Sequence, residues 1–258
     1  MLKFFRRIRK NLLEENKFKA YLFYAIGEIA LVVIGILIAL YLDNINEQQT
    51  IDKKQENHLR LIMGEMTNNL YSLQTEKEAL GEILESNRLI LSVFNNQKKI
   101  DTLRESYLSD ILFMPLTRQI KFENENGALT ELLASGGLKD IKNDTIRSVL
   151  ASWDAKLAIL ESQEAGLYKA LEETHRLVKE KGSFRVIFDQ LGLSEYLKIS
   201  EVSSTESNKH FLTSKEFENT ILHYLASGDQ LSRKNYPSFQ KDLEQLIKLI
   251  NQELSSDQ

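Results

Sequence analysis

The sequence predicts an all-α protein: one N-terminal transmembrane helix, then an elongated antiparallel helical bundle built on three long helices. Three observations predict it. Residues 20–42 form an apolar run of 23 residues with one ionisable side chain, Glu28. Two later stretches carry apolar residues at alternating steps of four and three, the spacing of one helix face. The 258 residues include only two prolines and eleven glycines, so little interrupts a helix.

Charge divides the chain into three parts. Residues 1–19 hold Lys3, Arg6, Arg7, Arg9, Lys10, Lys17 and Lys19 against Glu14 and Glu15, a net of +5. The apolar run holds −1, and with −4 overall, residues 43–258 hold −8. A basic head before an apolar run is the signature of an oriented membrane protein. An acidic body repels phosphate, which argues against nucleic acid as its partner. There is no cysteine, which excludes disulfides and thiolate metal sites.

The head, residues 1–19, is expected in the cytoplasm. Leu2, Phe4, Phe5, Ile8, Leu12 and Leu13 interleave with Arg6, Arg7, Arg9 and Lys10. These four cations are predicted to touch lipid headgroups. The run 20–42 rises roughly 35 Å as a helix, enough to cross a hydrocarbon core of about 30 Å. It is longer than the apolar stretch of a signal peptide, and Asp43-Asn44-Ile45-Asn46-Glu47 follows it. An uncleaved anchor is the reading this supports. The body, 43–258, then lies on the far side of the membrane.

Glu28 falls about 12 Å into that helix, at hydrocarbon depth. An intramembrane carboxyl group is expensive and marks a functional site or a helix contact. Glu28, Val32, Gly35 and Ala39 share one face. Gly35 and Ala39 form a small-xxx-small pair that lets another helix approach closely. The expected partners are the lipid bilayer and either a second copy of this chain or another membrane protein.

In the body, the first periodic series runs Leu59, Met63, Met66, Leu70, Leu73, Lys77, Leu80, Leu84, Asn87, Leu91, Phe94, with nine of eleven apolar. The second runs Ile146, Leu150, Trp153, Leu157, Leu160, Glu164, Leu167, Leu171, Thr174, Val178, with eight of ten apolar. Each stripe needs a covering helix, and these two are expected to pair antiparallel. Between them, a helix near 101–113 is expected to be broken by Pro115. A short helix over 126–135 ends at Gly136-Gly137. Asn143 or Asp144 caps the second long helix. A less regular stretch follows Gly182, and Ser200–Ser207 reads as a loop. Thr213 and Glu216 form a capping box opening a third long helix. Pro237 kinks or divides that helix.

The sequence carries no recognisable catalytic motif, cofactor site or metal site. Glu172 and His175 have the Glu-x-x-His spacing of di-iron bundles, but those sites need a second such pair, and none occurs. The segment GALTELLASGGLKDIKND lacks phosphate-loop spacing and follows no strand. Trp153 fits the apolar stripe and reads as core.

Residues 3–40, with Tyr24 to Ile29 (YAIGEI) and Val32 to Leu40 (VVIGILIAL), resemble the start of a single-span membrane protein family of Bacteroidetes whose activity is unassigned. Residues 129–153, LTELLASGGLKDIKNDTIRSVLASW, resemble that family's second recurring block. After Leu40 the exit Tyr41-Leu42-Asp43-Asn44-Ile45-Asn46 departs from the family's more usual Gln-Ile-Asn-Asn-Trp-Asn. The resemblance implies a Gram-negative inner membrane. Together these readings predict a non-enzymatic, membrane-anchored periplasmic interaction module, a scaffold or sensor-like adaptor. A second reading makes the chain a subunit of an oligomeric channel or proton-driven membrane complex, with Glu28 as the working residue.

Overall fold

The computed structural model describes residues 18–200 and 206–256. It is all-α, and no β-strand occurs among the described residues. The chain divides into two compact units, Met1–Asn57 and His58–Gln258.

Helix α1 spans Phe18–Val93, 76 residues without a break. It begins before the predicted 20–42 span and continues through residues 43–57, where the body was expected to start. The packed core begins only at Leu59. Residues 43–57 contain neither glycine nor proline and are rich in Glu, Gln and Lys, all good helix formers. Local side-chain bonds, Gln48 to Asp52 and Thr50 to the Asn46 carbonyl, reinforce this stretch.

In the second unit, the helices α2 (Gln97–Thr102) and α3 (Glu105–Thr117) replace the single element expected near 101–113. Pro115 lies inside α3 rather than breaking it. It falls in the last turn, so the single bond it deletes is lost where the helix is ending anyway. Residues 118–126 then form an extended strap. Helix α4 (Gly127–Ala134) leads into a single 3₁₀ turn, Gly137–Asp140. Gly136 between them has φ +71°, the left-handed conformation that glycine takes without strain.

The second periodic series is carried by two helices, α5 (Asp144–Ala151) and α6 (Trp153–Lys181), which break at Ser152. Asn143 caps α5 by accepting from the Thr145 and Ile146 amides. Residues 184–196, expected to be irregular, form α7 (Phe184–Gln190) and α8 (Leu193–Tyr196). Of the predicted loop 200–207, residues 201–205 lie outside the described residues. Helix α9 (Lys215–Gln230) is capped by Ser214, whose hydroxyl accepts from the Phe217 amide. Thr213 instead donates to the His210 carbonyl, and Glu216 pairs with Lys181. A π-helical turn, Leu231–Asn235, then joins α9 to α10 (Tyr236–Ser256). Pro237 is thus the second residue of α10, and the wider turn before it accommodates the missing N–H.

Pairs across the bundle fix its directions. Lys181 meets Glu216, Gln230 donates to Gln163 at 3.1 Å, and Lys156 meets Asp242 at 2.7 Å, so α9–α10 runs against α6. Arg88 meets Asp229 at 3.5 Å and Lys77 meets Gln240 at 3.4 Å, so α9–α10 also runs against α1. Helices α1 and α6 therefore point the same way, and the antiparallel pairing expected between them is corrected. The strap explains why. Its residues carry the chain back along α1 without being a helix: Glu76 meets Arg118, Ser72 meets Glu123, Asn69 meets Glu125 and Glu65 meets Ala128.

The predicted seam on α1 is right at Leu59, Met66, Leu73, Leu80, Leu84 and Asn87, all buried. Apart from Leu84, its other flank is shifted by one residue. Ile62, Asn69, Ile83 and Ile90 are fully buried, while Met63, Leu70, Lys77 and Leu91 are half-buried. Asn69 and Glu76 put polar residues in the true seam, which made the neighbouring register look more apolar.

Asn69 is the strap's main anchor. Its amide donates to Asn124 Oδ1 at 3.0 Å and to the Glu125 carbonyl at 2.8 Å, and its Oδ1 accepts from the Glu125 amide at 2.7 Å. Leaving such buried groups unpaired costs about 1–3 kcal/mol each. Replacement Asn69→Ala is expected to lower unfolding stability by roughly 3 kcal/mol, measured by urea denaturation. A loss below about 0.5 kcal/mol would contradict the assignment.

Candidate functional site

The first locus is the apolar part of α1. Every large apolar side chain described between Leu22 and Leu42 is exposed. This is the one helix among the described residues long and apolar enough to cross a membrane. Continuous α-helical geometry sets Glu28, Val32, Gly35 and Ala39 along one stripe, as their spacing predicts. Val32 and Ala39 are exposed and Glu28 is half-buried. A Cβ added at Gly35 would meet nothing within 4 Å. This stripe can receive a neighbouring helix at close range. The predicted headgroup contacts Arg6, Arg7, Arg9 and Lys10 lie outside the described residues.

The second locus was not singled out from the sequence. Glu164, a polar member of the α6 stripe, is buried in the second unit. Its Oε1 accepts from the Tyr236 hydroxyl at 2.7 Å and from the Phe122 amide at 3.0 Å. Three elements therefore converge on one oxygen: α6, the start of α10, and the strap. Burial pushes the Glu164 carboxyl above its ordinary range, and the charges of Glu76 and Glu161 add to this. The bonds from Tyr236 and Phe122 oppose the shift without cancelling it. Tyr236 is itself pushed well up by burial and by the facing carboxyl. The signal was present in the sequence, as an acidic residue in a register that is apolar at every other position but Thr174. Thr174, the other polar member of that stripe, is also buried, and its hydroxyl donates to the Ala170 carbonyl at 2.9 Å.

The Glu-x-x-His pair is divided between two local roles. His175 Nε2 donates to the Leu116 carbonyl, satisfying the end of α3. Glu172 accepts from the Tyr168 hydroxyl, which raises the pKa of Tyr168. Among the described residues no three His, Asp or Glu side chains converge as a metal site would require. Trp153 is fully buried, packed against Phe239 with ring centroids 5.4 Å apart.

No protein-family model, curated protein or solved structure matches this chain.

The Glu164 node has a pH signature. The fold favours the protonated carboxyl, so its contribution to stability is complete below the ordinary value of 4.5. It is lost as pH rises through the raised native value. Glu164→Gln is expected to flatten unfolding stability between pH 4.5 and neutrality, read from urea midpoints across that window. A slope that persists unchanged in Glu164→Gln would assign it to other groups.

Proposed function

We propose that this chain is a membrane-anchored helical interaction module, a scaffold or adaptor rather than an enzyme. Its 20–42 segment spans the bilayer, and the Glu28–Val32–Gly35–Ala39 stripe contacts a second copy or another membrane protein. The single observation that carries this reading is the exposure of every described large apolar side chain from Leu22 to Leu42. Water does not tolerate a patch of that size, whereas lipid and a packed helix both do. The +5 head favours a cytoplasmic N-terminus, which assigns the acidic body to the opposite side. The family resemblance of residues 3–40 favours a Gram-negative inner membrane, and so a periplasmic body.

The stripe has two chemical means of association. Gly35 and Ala39 allow backbones to approach within van der Waals contact. The Glu28 carboxyl group hydrogen-bonds across the interface, where no water competes. Because nothing within α1 obstructs a side chain at Gly35, Gly35→Ile leaves the helix itself unperturbed and acts only on a neighbour. Glu28→Gln and Gly35→Ile are each expected to weaken association by roughly five- to thirty-fold, the equivalent of about 1–2 kcal/mol. The measurement is an in-membrane association assay on the full chain. Unchanged association in both variants would overturn the assignment of this face.

A further inference from the structure

The 3₁₀ turn Asn208–Thr213 gathers several helix ends in the second unit. The Asn95 amide, two residues past α1, donates to the Leu212 carbonyl at 3.0 Å. Glu105, the first residue of α3, accepts from the Asn208 amide at 2.9 Å and from the Ser207 hydroxyl. The Asn208 side chain accepts from the Ser183 amide at 2.9 Å and donates to the Ser183 carbonyl at 3.0 Å. That pair of bonds fixes the turn to the corner after α6. Helix α9 then starts at Lys215.

His210 closes this turn onto α6. Its Nδ1 lies 2.9 Å from the Ser207 carbonyl oxygen and its Nε2 lies 2.8 Å from the Lys181 carbonyl oxygen. A carbonyl has no proton to give, so a ring nitrogen bonded to one must carry the hydrogen. Neutral imidazole has one N–H and a lone pair on its other nitrogen. A lone pair held that close to a second carbonyl is repelled by it. Only the imidazolium, with an N–H on each nitrogen, makes both bonds. His175, by contrast, meets a carbonyl through Nε2 alone, which a neutral ring can do. The location favours the charged ring for a second reason. Lys181 is the last residue of the 29-residue α6, whose end carries the negative pole of the helix dipole. The buried Phe211 ring lies along the imidazole with centroids 4.4 Å apart and holds its plane. Of the charged groups around the turn, α6 brings Glu180 and Lys181, α9 brings Lys215, Glu216 and Glu218, α3 brings Glu105, and the turn's own stretch brings Glu206 and Lys209. Acids outnumber bases among them, so the surroundings do not oppose a charged ring.

We propose that His210 is a proton-operated clasp. With its ring charged, it ties the turn to the end of α6 and closes the region where α1, α3, α6 and α9 meet. When the ring loses a proton, one of the two bonds is lost and this end of the unit loosens. The clasp is therefore closed on the acid side of the histidine titration and loose on the alkaline side. His210 is exposed, so its ring exchanges protons directly with solvent, and the body responds to the pH of the compartment it occupies. The inference stands on the second unit alone and is independent of how the anchor associates.

The test uses the full chain in lipid nanodiscs with ¹⁵N-labelled histidine. The His210 signals are assigned by their loss in His210→Gln. At about pH 5.5 both ring nitrogens are expected to show the shifts of a protonated imidazolium. Native-state hydrogen exchange is then followed at the Asn95 and Asn208 amides, corrected for the intrinsic pH dependence of exchange. Between about pH 5.5 and about pH 8 their protection is expected to fall about three- to tenfold, the loss of one hydrogen bond, beyond any change at the Leu73 amide of α1. In His210→Gln that extra fall is expected to vanish, because a glutamine amide does not titrate. A His210 ring that is neutral at about pH 5.5 would overturn the proposal. So would protection at Asn95 and Asn208 that follows Leu73 across the whole range. The ring shifts and the exchange rates are read in the unsubstituted chain, so misfolding of a variant cannot mask the answer. Glu164 acts on unfolding of the whole unit, which Leu73 reports, so the two titrations are read apart.

Discussion

A polar stripe on α1 holds nine residues of extended chain in place of a neighbouring helix. Glu65, Asn69, Ser72 and Glu76 follow helical steps of four, three and four, and each bonds to the segment from Arg118 to Leu129. An extended chain cannot satisfy its own backbone, so a strap inside a helical bundle exists only where side chains supply the missing donors and acceptors. Asn69 does this most completely, bonding both the N–H and the C=O of Glu125. Glu76 takes Lys121, and from the other side Glu164 takes Phe122. With those bonds in place, Ile120 and Phe122 can turn their side chains into the core.

The direction of the bundle follows from this. A strap returns the chain along α1 in few residues, because an extended chain rises about twice as far per residue as a helix. The following helices α4 and α5 then turn it, and α6 starts again in the direction of α1. Helices α9 and α10 are left to run back against both. Their junction needs the π-helical turn at Leu231–Asn235, which delivers Tyr236 to the Glu164 carboxyl. The one buried acid of α6 thus ties the strap to the last helix, and its protonation state bears on both.

Much of this fold was legible in the sequence, and the failures share a cause. Periodicity located the apolar stripes because burial of Leu, Ile and Trp is a local property repeated along a helix. It missed one flank of the α1 seam because Asn69, buried, and Glu76, half-buried, bond to partners some 45 to 56 residues away. The strap was invisible for the same reason. Ile120 and Phe122 are too short an alternation to announce a strand, and nothing local stabilises one. The caps behaved similarly: Asn143, one of the two candidates, caps α5, whereas Ser214 displaced Thr213 because the 3₁₀ turn Asn208–Thr213 engages the Thr213 hydroxyl. At the anchor, spacing alone was enough to set Glu28, Val32, Gly35 and Ala39 on one stripe, since a helix guarantees that relation without a tertiary contact. Glu164 stood in plain sight as an acid in an apolar register, but which groups would receive it depended on the folded chain.

The central claim is that the strap belongs to the core and is held there by side chains of α1 and α6. Native-state hydrogen exchange reads it directly. The amides of Lys121, Phe122 and Glu125 are expected to exchange only as the second unit unfolds, with the same opening free energy as the α1 amides around Leu73. Exchange of those three amides at the rate of an open loop, while the α1 amides stay protected, would contradict it.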